Sequence, residues 1–180
     1  MDEERRDVAR QVQGSLVGGQ VAVLKKEEAD SLSGNGYGVR KDGNALLLQT
    51  YEALYLVSEK RLRVIGEGVE LSFQNLLSIF QKEVSVWPAF LLFRDLRERG
   101  YVVREGPAGE VGFRVYERGM YPKKAAKYIV FLLREGSPVT VDRLWSVMRL
   151  AQGMKKKLIV AVMDRRGEVV YYSLDQFSPA

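Results

Sequence analysis

The sequence predicts a two-domain protein of the α+β and α/β kind. A small α+β domain covers residues 1–83. A nuclease-like domain, a mixed β-sheet flanked by helices, covers residues 84–180. Three observations carry this. Short β-branched and apolar runs of strand length recur along the chain, separated by a few amphipathic stretches. The clearest helix falls mid-chain, over 85–99, with Pro88 in its first turn and Gly100 after its last. The charge balance also changes across that point. Residues 1–83 hold 11 Lys/Arg and 13 Asp/Glu, a net −2, whereas residues 84–180 hold 17 and 10, a net +7.

The elements follow in order. Residues 1–14 are polar and read as a frayed end or a short helix. Leu16 to Leu24 reads as a strand pair broken at Gly18-Gly19, and Glu27 to Leu32 as a helical turn. Gly34-Asn35-Gly36-Tyr37-Gly38 is a turn cluster in which glycine relieves the cost of positive φ. Arg40 to Asn44 is an exposed loop with two cations, followed by the apolar strand Leu46-Leu47-Leu48. Thr50 is placed to cap a helix carrying Ala53, Leu54 and Leu56. Arg61 to Ile65 reads as a strand, and Ser72 opens a helix with Leu76, Leu77 and Phe80 on one face.

Beyond the mid-chain helix come five strand-like runs: Tyr101–Glu105, Val111–Glu117, Ala126–Leu133, Lys157–Asp164 and Val169–Leu174. One helix, Val141 to Met154 with Thr140 as its cap, interrupts them. The domain boundary is expected near residues 82–86. A chain of 180 residues holds one good core or two small ones, and its 46% hydrophobic content is ordinary.

Composition narrows the chemistry. The chain has no cysteine and no histidine, so disulfides and thiolate metal sites are excluded. Carboxylates alone are a poor donor set for zinc. No apolar run is long enough to span a bilayer, and the polar start Met1-Asp2-Glu3-Glu4-Arg5-Arg6 has no apolar region behind it, so a cytoplasmic protein is expected. The basic second half points towards a polyanion such as a nucleic acid. A solvated charged surface, common in heat-stable proteins, is the alternative.

Several motifs narrow the reading further. The first domain carries Tyr37-Gly38, Leu46-Leu47-Leu48 and Glu52-Ala53-Leu54-Tyr55-Leu56. The mid-chain helix ends in Arg94-Asp95-Leu96-Arg97-Glu98-Arg99-Gly100-Tyr101-Val102-Val103. The second domain carries Phe113-Arg114-Val115-Tyr116, Ala125-Ala126-Lys127-Tyr128-Ile129-Val130 and Lys155-Lys156-Lys157 before Leu158-Ile159-Val160-Ala161. In this order the set resembles the archaeal tRNA-splicing endonucleases over nearly the whole chain.

The resemblance implies metal-free RNA scission by a tyrosine, a histidine and a lysine, with no cofactor. A base takes the proton of a ribose 2′-hydroxyl, whose oxygen attacks the adjacent phosphorus. An acid protonates the departing 5′-oxygen, and a cation steadies the transition state. The products implied are a 2′,3′-cyclic phosphate and a 5′-hydroxyl. The tyrosine falls on Tyr116 and the lysine on Lys156. The histidine position falls on Ala125, whose methyl cannot donate a proton.

Arg149 matches an arginine that clamps an unpaired base by cation–π stacking. Trp145, one turn earlier, backs that stack or belongs to the core. Lys155, Lys157 and Lys41 are the further candidates for RNA contact. Each residue also has an ordinary structural reading: Tyr116 as a core tyrosine, Lys156 as a solvated helix end, and Arg149 as a snorkelling side chain.

The resemblance further implies precursor tRNA with a bulge–helix–bulge as substrate and a homologous subunit as partner. The assembly would be a dimer or heterotetramer joined through the last strand, 169–174, with its Tyr171-Tyr172 pair. Two explanations of Ala125 stay open. Either this is a catalytic subunit with its acid replaced, or it is a non-catalytic structural or RNA-binding subunit. The loop Asp164-Arg165-Arg166-Gly167-Glu168 favours the first, because its two arginines make it a poor acidic plug for a partner's basic pocket.

Overall fold

A computed structural model describes residues 11–41, 45–81, 85–107 and 112–175. The chain divides into two compact units, Met1–Val86 and Trp87–Ala180. Each is an α+β body around its own sheet, which is the expected fold class.

In the first unit, β1 (Val12–Val17) and β2 (Gln20–Val23) form an antiparallel hairpin turned by Gly18 and Gly19, both at positive φ. Helix α1 (Lys26–Gly34) follows, then β3 (Val39–Arg40), β4 (Leu46–Leu48) and helix α2 (Thr50–Ser58). β5 (Leu62–Gly66), β6 (Val69–Leu71) and α3 (Phe73–Phe80) complete it. The sheet order is β3-β4-β2-β1-β5-β6, and only β1 and β5 run parallel. Its core includes Val21, Val23, Leu46, Leu54, Leu56, Leu62 and Leu76.

Several expectations change here. Residues 12–14 belong to β1, because Val12 and Gly14 are buried between strands and pair with Leu62 and Val64. Residues 1–10 lie outside the described residues. The helical turn at 27–32 is a nine-residue helix, whose first-turn Glu27 and Glu28 favour its positive N-terminal end. Gln49 rather than Thr50 is the cap of α2; its N–H donates to the Glu52 carboxylate at 2.9 Å. Strand β6 is too short and polar to stand out by pattern.

In the second unit, α4 (Val86–Glu98) leads into β7 (Val102–Glu105), β8 (Gly112–Tyr116) and β9 (Tyr128–Arg134). Helix α5 (Val141–Gly153) crosses over to β10 (Lys157–Met163), and β11 (Val169–Leu174) ends the described chain. The order is β11-β10-β9-β8-β7, with β9 and β10 parallel and the other pairs antiparallel.

Alternation along the strands gives the sheet two apolar faces. Ile129, Phe131 and Leu158 pack under Val147, Met148 and Ala151 of α5. Phe113, Val115 and Val130 take the opposite face, where Phe93 of α4 meets Phe113 edge-on at 6.0 Å. Both helix ends are set by capping. Thr140 Oγ1 accepts the Arg143 N–H, and after α4 Gly100, at φ +84°, lets Tyr101 N–H reach back to Leu96 O.

Candidate active site

The second sheet brings distant parts of the chain to one end. β8 runs towards that end and stops at Tyr116, while β9 and β10 both start there. The register places Val115 opposite Tyr128, and Tyr128 opposite Lys157. Two backbone bonds extend the ladder just past the strands: Lys127 N–H to Val115 O, and Lys157 N–H to Lys127 O, each at 3.0 Å. The chain termini of three adjacent strands therefore carry Tyr116, the 125–127 segment and the 155–157 lysines.

Strand parity refines this. Arg114 stands opposite Ile129, and Ile129 opposite Leu158, so these three share the face under α5. Tyr116 and Lys156 lie two residues beyond Arg114 and two before Leu158, in phase with that face. Tyr116 is half-buried, and Tyr121 braces it with a perpendicular ring contact at 5.0 Å.

Lys156 is also half-buried, and its N–H donates to Ala151 O at 2.9 Å. Lys155 turns the chain at φ +54° and, with Lys157, is exposed. Ala125 is exposed on the 117–127 turn. On α5, Arg149 and Trp145 are both exposed one turn apart, Trp145 at 47%. The core reading of Trp145 is thereby corrected, since the inner face of α5 is taken by Val147, Met148 and Ala151.

Two residues of this end were not legible in the sequence. Tyr121 lies in an aperiodic turn, so nothing in its spacing marks it as a brace for Tyr116. Lys127 pairs with Glu117 across the same turn, and this hydrogen bond raises the lysine's pKa. Among the described residues, no cluster of three or more His, Cys, Asp or Glu is placed to hold a metal ion.

In the first unit, Lys41 is exposed and its N–H donates to Ala45 O at 3.0 Å, while Arg40 pairs with Asp30. The expected pair of loop cations is thus reduced, Arg40 being neutralised. Residues 42–44 lie outside the described residues.

Family models match both halves of the chain: the tRNA intron endonuclease N-terminal domain over residues 12–77, and the catalytic C-terminal domain over residues 86–171. The tRNA-splicing endonuclease of Pyrococcus abyssi is 30% identical over 162 residues, covering 89% of this chain and 93% of the relative. That of Methanothermobacter thermautotrophicus is 31% identical over 170 residues, covering 93% and 99%. The chain belongs to the tRNA intron endonuclease family. A third relative of the same name, from Methanosarcina mazei, is 33% identical over 89% of this chain but only 45% of its own length.

Not all of the motifs that carry the resemblance serve the site in this tRNA intron endonuclease chain. Glu52 is 2% exposed, and its carboxylate accepts the N–H of Gly38 and of Gln49, each at 2.9 Å. The Tyr-Gly turn and the Glu-Ala-Leu-Tyr helix therefore form one internal hydrogen-bonded unit. Asp95 and Arg99 also tie the fold together. Arg99 Nε donates to Asp95 at 2.7 Å, and the Tyr171 hydroxyl donates to the same carboxylate at 2.5 Å. Arg99 also lies over the Tyr171 ring at 5.4 Å. Burial, then the bond to Asp95, pushes the Tyr171 phenol above its ordinary pKa. The Tyr171-Tyr172 pair expected at a subunit contact is thus divided. Tyr171 turns inward onto α4, and Tyr172, at 56% exposure, faces out with Val170.

Proposed function

We propose that this chain is a catalytic-type subunit of a tRNA-intron endonuclease, with its acid position occupied by Ala125. Its substrate is precursor tRNA folded into a bulge–helix–bulge, cut at the exon–intron junctions. The observation that carries the reading is the meeting of the β8 end, the β9 start and the β10 start, which supports a shared role for Tyr116, position 125 and Lys156.

In the complete site, the Tyr116 phenol oxygen takes the proton from the ribose 2′-hydroxyl as that oxygen attacks phosphorus. An imidazole at position 125 protonates the 5′-oxygen as its bond to phosphorus breaks. Lys156 faces the extra negative charge of the transition state. The phosphodiester becomes a 2′,3′-cyclic phosphate and a 5′-hydroxyl, and no cofactor enters the balance. Arg149 stacks on a splayed bulge base, with Trp145 one turn behind it. Lys155, Lys157 and Lys41 add phosphate contacts. Recognition rests on the shape of the RNA and its unpaired bases, because an RNA helix hides its major-groove edges.

The functional unit is a dimer or heterotetramer with a homologous subunit, paired through strand 169–174. An edge strand bearing exposed Val170 and Tyr172 supports that contact. The alternative is a non-catalytic structural or RNA-binding subunit. The loop 164–168 disfavours it: two arginines offset its two acids, and Asp164 spends one carboxylate oxygen on the N–H groups of Arg166 and Glu168.

The test is Ala125→His, mixed with the partner subunit and assayed on a bulge–helix–bulge RNA. Restoring a general acid raises the cleavage rate by about 10²–10⁴-fold. Lys156→Ala in that restored protein then lowers kcat more than it weakens RNA binding. RNA that binds but stays uncut after Ala125→His refutes the catalytic reading.

A further inference from the structure

At the far end of the same sheet, where β9 and β10 finish, an open cavity of about 560 Å³ lies between the β10–β11 turn and the start of α4. Arg94, Arg134, Arg165 and Arg166 line it, with Trp87 and Ser137. Trp87 is 46% exposed, and its ring meets that of the buried Phe90 at 5.3 Å. The guanidiniums of Arg134, Arg165 and Arg166 have no carboxylate within ion-pair distance among the described residues. Arg94 lies over the Phe90 ring at 5.5 Å and reaches Glu98 at 3.8 Å, longer than a hydrogen bond.

Two acids, Glu135 and Asp164, also line the cavity. Asp164 shapes the loop from within, since its Oδ1 accepts the N–H of Arg166 and of Glu168 at 2.8 Å each. Gly167, at φ +85°, lets the turn press onto α4: a Cβ there would lie 2.8 Å from Leu91 Cδ1. The arginines are thus carried on a turn fixed from inside.

Three guanidinium groups without a carboxylate partner among the described residues, with Arg94 beside them, surround one opening next to a half-exposed indole and form an anion site with a stacking platform. Guanidinium forks match phosphate oxygens bidentately, and an aromatic face accepts any base. We infer that this cavity is a second RNA contact, binding backbone phosphate and one unpaired base of the strand whose scission site lies at the opposite end. The inference rests on the proposed RNA substrate. The seven residues of β9 separate the two ends by roughly 20 Å, several nucleotides of strand. An acidic protein segment would satisfy the arginines but leaves Trp87 unexplained, so RNA is the better occupant.

The experiment uses the full chain with Ala125 in place, with and without its partner subunit, and a bulge–helix–bulge RNA titrated over a range of salt. Arg134→Ala with Arg165→Ala weakens RNA binding about tenfold or more at 0.1 M salt. The same pair flattens the slope of log K against log salt by about 1.4, for two lost single-strand phosphate contacts. Trp87→Ala lowers the affinity with the slope unchanged, the mark of lost stacking.

Unchanged affinity and slope in the double variant overturn the inference. So does a double variant that binds RNA normally but no longer associates with the partner, which would make the cavity a protein-docking site. Cleavage by Ala125→His reports separately on the catalytic reading. A restored enzyme indifferent to the arginines rejects the second contact alone. Arginine-dependent binding without any cleavage rejects the catalytic reading alone.

Discussion

A methyl group at position 38 would lie 2.7 Å from Leu46 Cγ and 2.8 Å from Leu47 O, on a residue whose φ is +66°. Leu47 O is backbone and cannot step aside. The Gly38 N–H is also held by the buried Glu52 carboxylate. Gly38→Ala therefore strains the backbone and crowds β4, and is expected to cost about 2–3 kcal/mol. Urea denaturation checks it, with a lower midpoint expected at constant slope. At this scale the sequence offered the turn glycine and the Glu-Ala-Leu-Tyr motif as separate signals. Their hydrogen bond spans 14 residues, and no local pattern announces a carboxylate facing two backbone donors.

The tie between α4 and β11 belongs to the scale of elements. Asp95 accepts from both Arg99 and Tyr171, so the last strand is fastened to a helix 76 residues earlier. Unfolded tyrosine titrates near pH 10, whereas Tyr171 keeps its proton to higher pH in the folded protein. Above about pH 10 the folded state therefore binds more protons than the unfolded one, and stability falls as pH rises. Below that pH the contribution is intact. Tyr171→Phe should cost about 1 kcal/mol near neutrality, the worth of one hydrogen bond. It should also lose stability less steeply than the parent above pH 10, as urea midpoints at pH 8 and pH 11 would reveal. Equal steepness in both proteins would remove Tyr171 from the alkaline response.

Strand and helix existence was largely legible at this scale. β-branched runs marked β7 to β11, and Thr140 and Gly100 marked helix ends by their capping chemistry. Boundaries moved where backbone partners decided them. The sequence run from Ala126 enters β9 only at Tyr128, and Gln49 displaces Thr50 as cap through its bond with Glu52.

For the whole molecule, the edge of the second sheet decides how copies or partners meet. Among the described residues β11 pairs only with β10, and it presents Val170 and Tyr172 outward. Tyr172→Lys sets like charges against each other in a symmetric pairing and removes apolar contact, so association should weaken by tenfold or more in sedimentation. An unaltered association constant would place the interface elsewhere. The fold itself is left intact by this change, because Tyr172 is not in the core.

By itself the sequence determined the two-part α+β organisation, the basic second half, the absence of thiol and imidazole chemistry, and the ordered motifs of a tRNA intron endonuclease. These are properties of residue type and near-neighbour spacing, which a chain carries before it folds. Only the tertiary structure decided that Tyr116, Ala125 and Lys156 share one end of a sheet, that Trp145 is exposed, that Tyr171 points inward, and that four arginines surround one cavity. Those outcomes depend on register and on which face of a strand meets a helix, and pairing between segments far apart in the chain sets both.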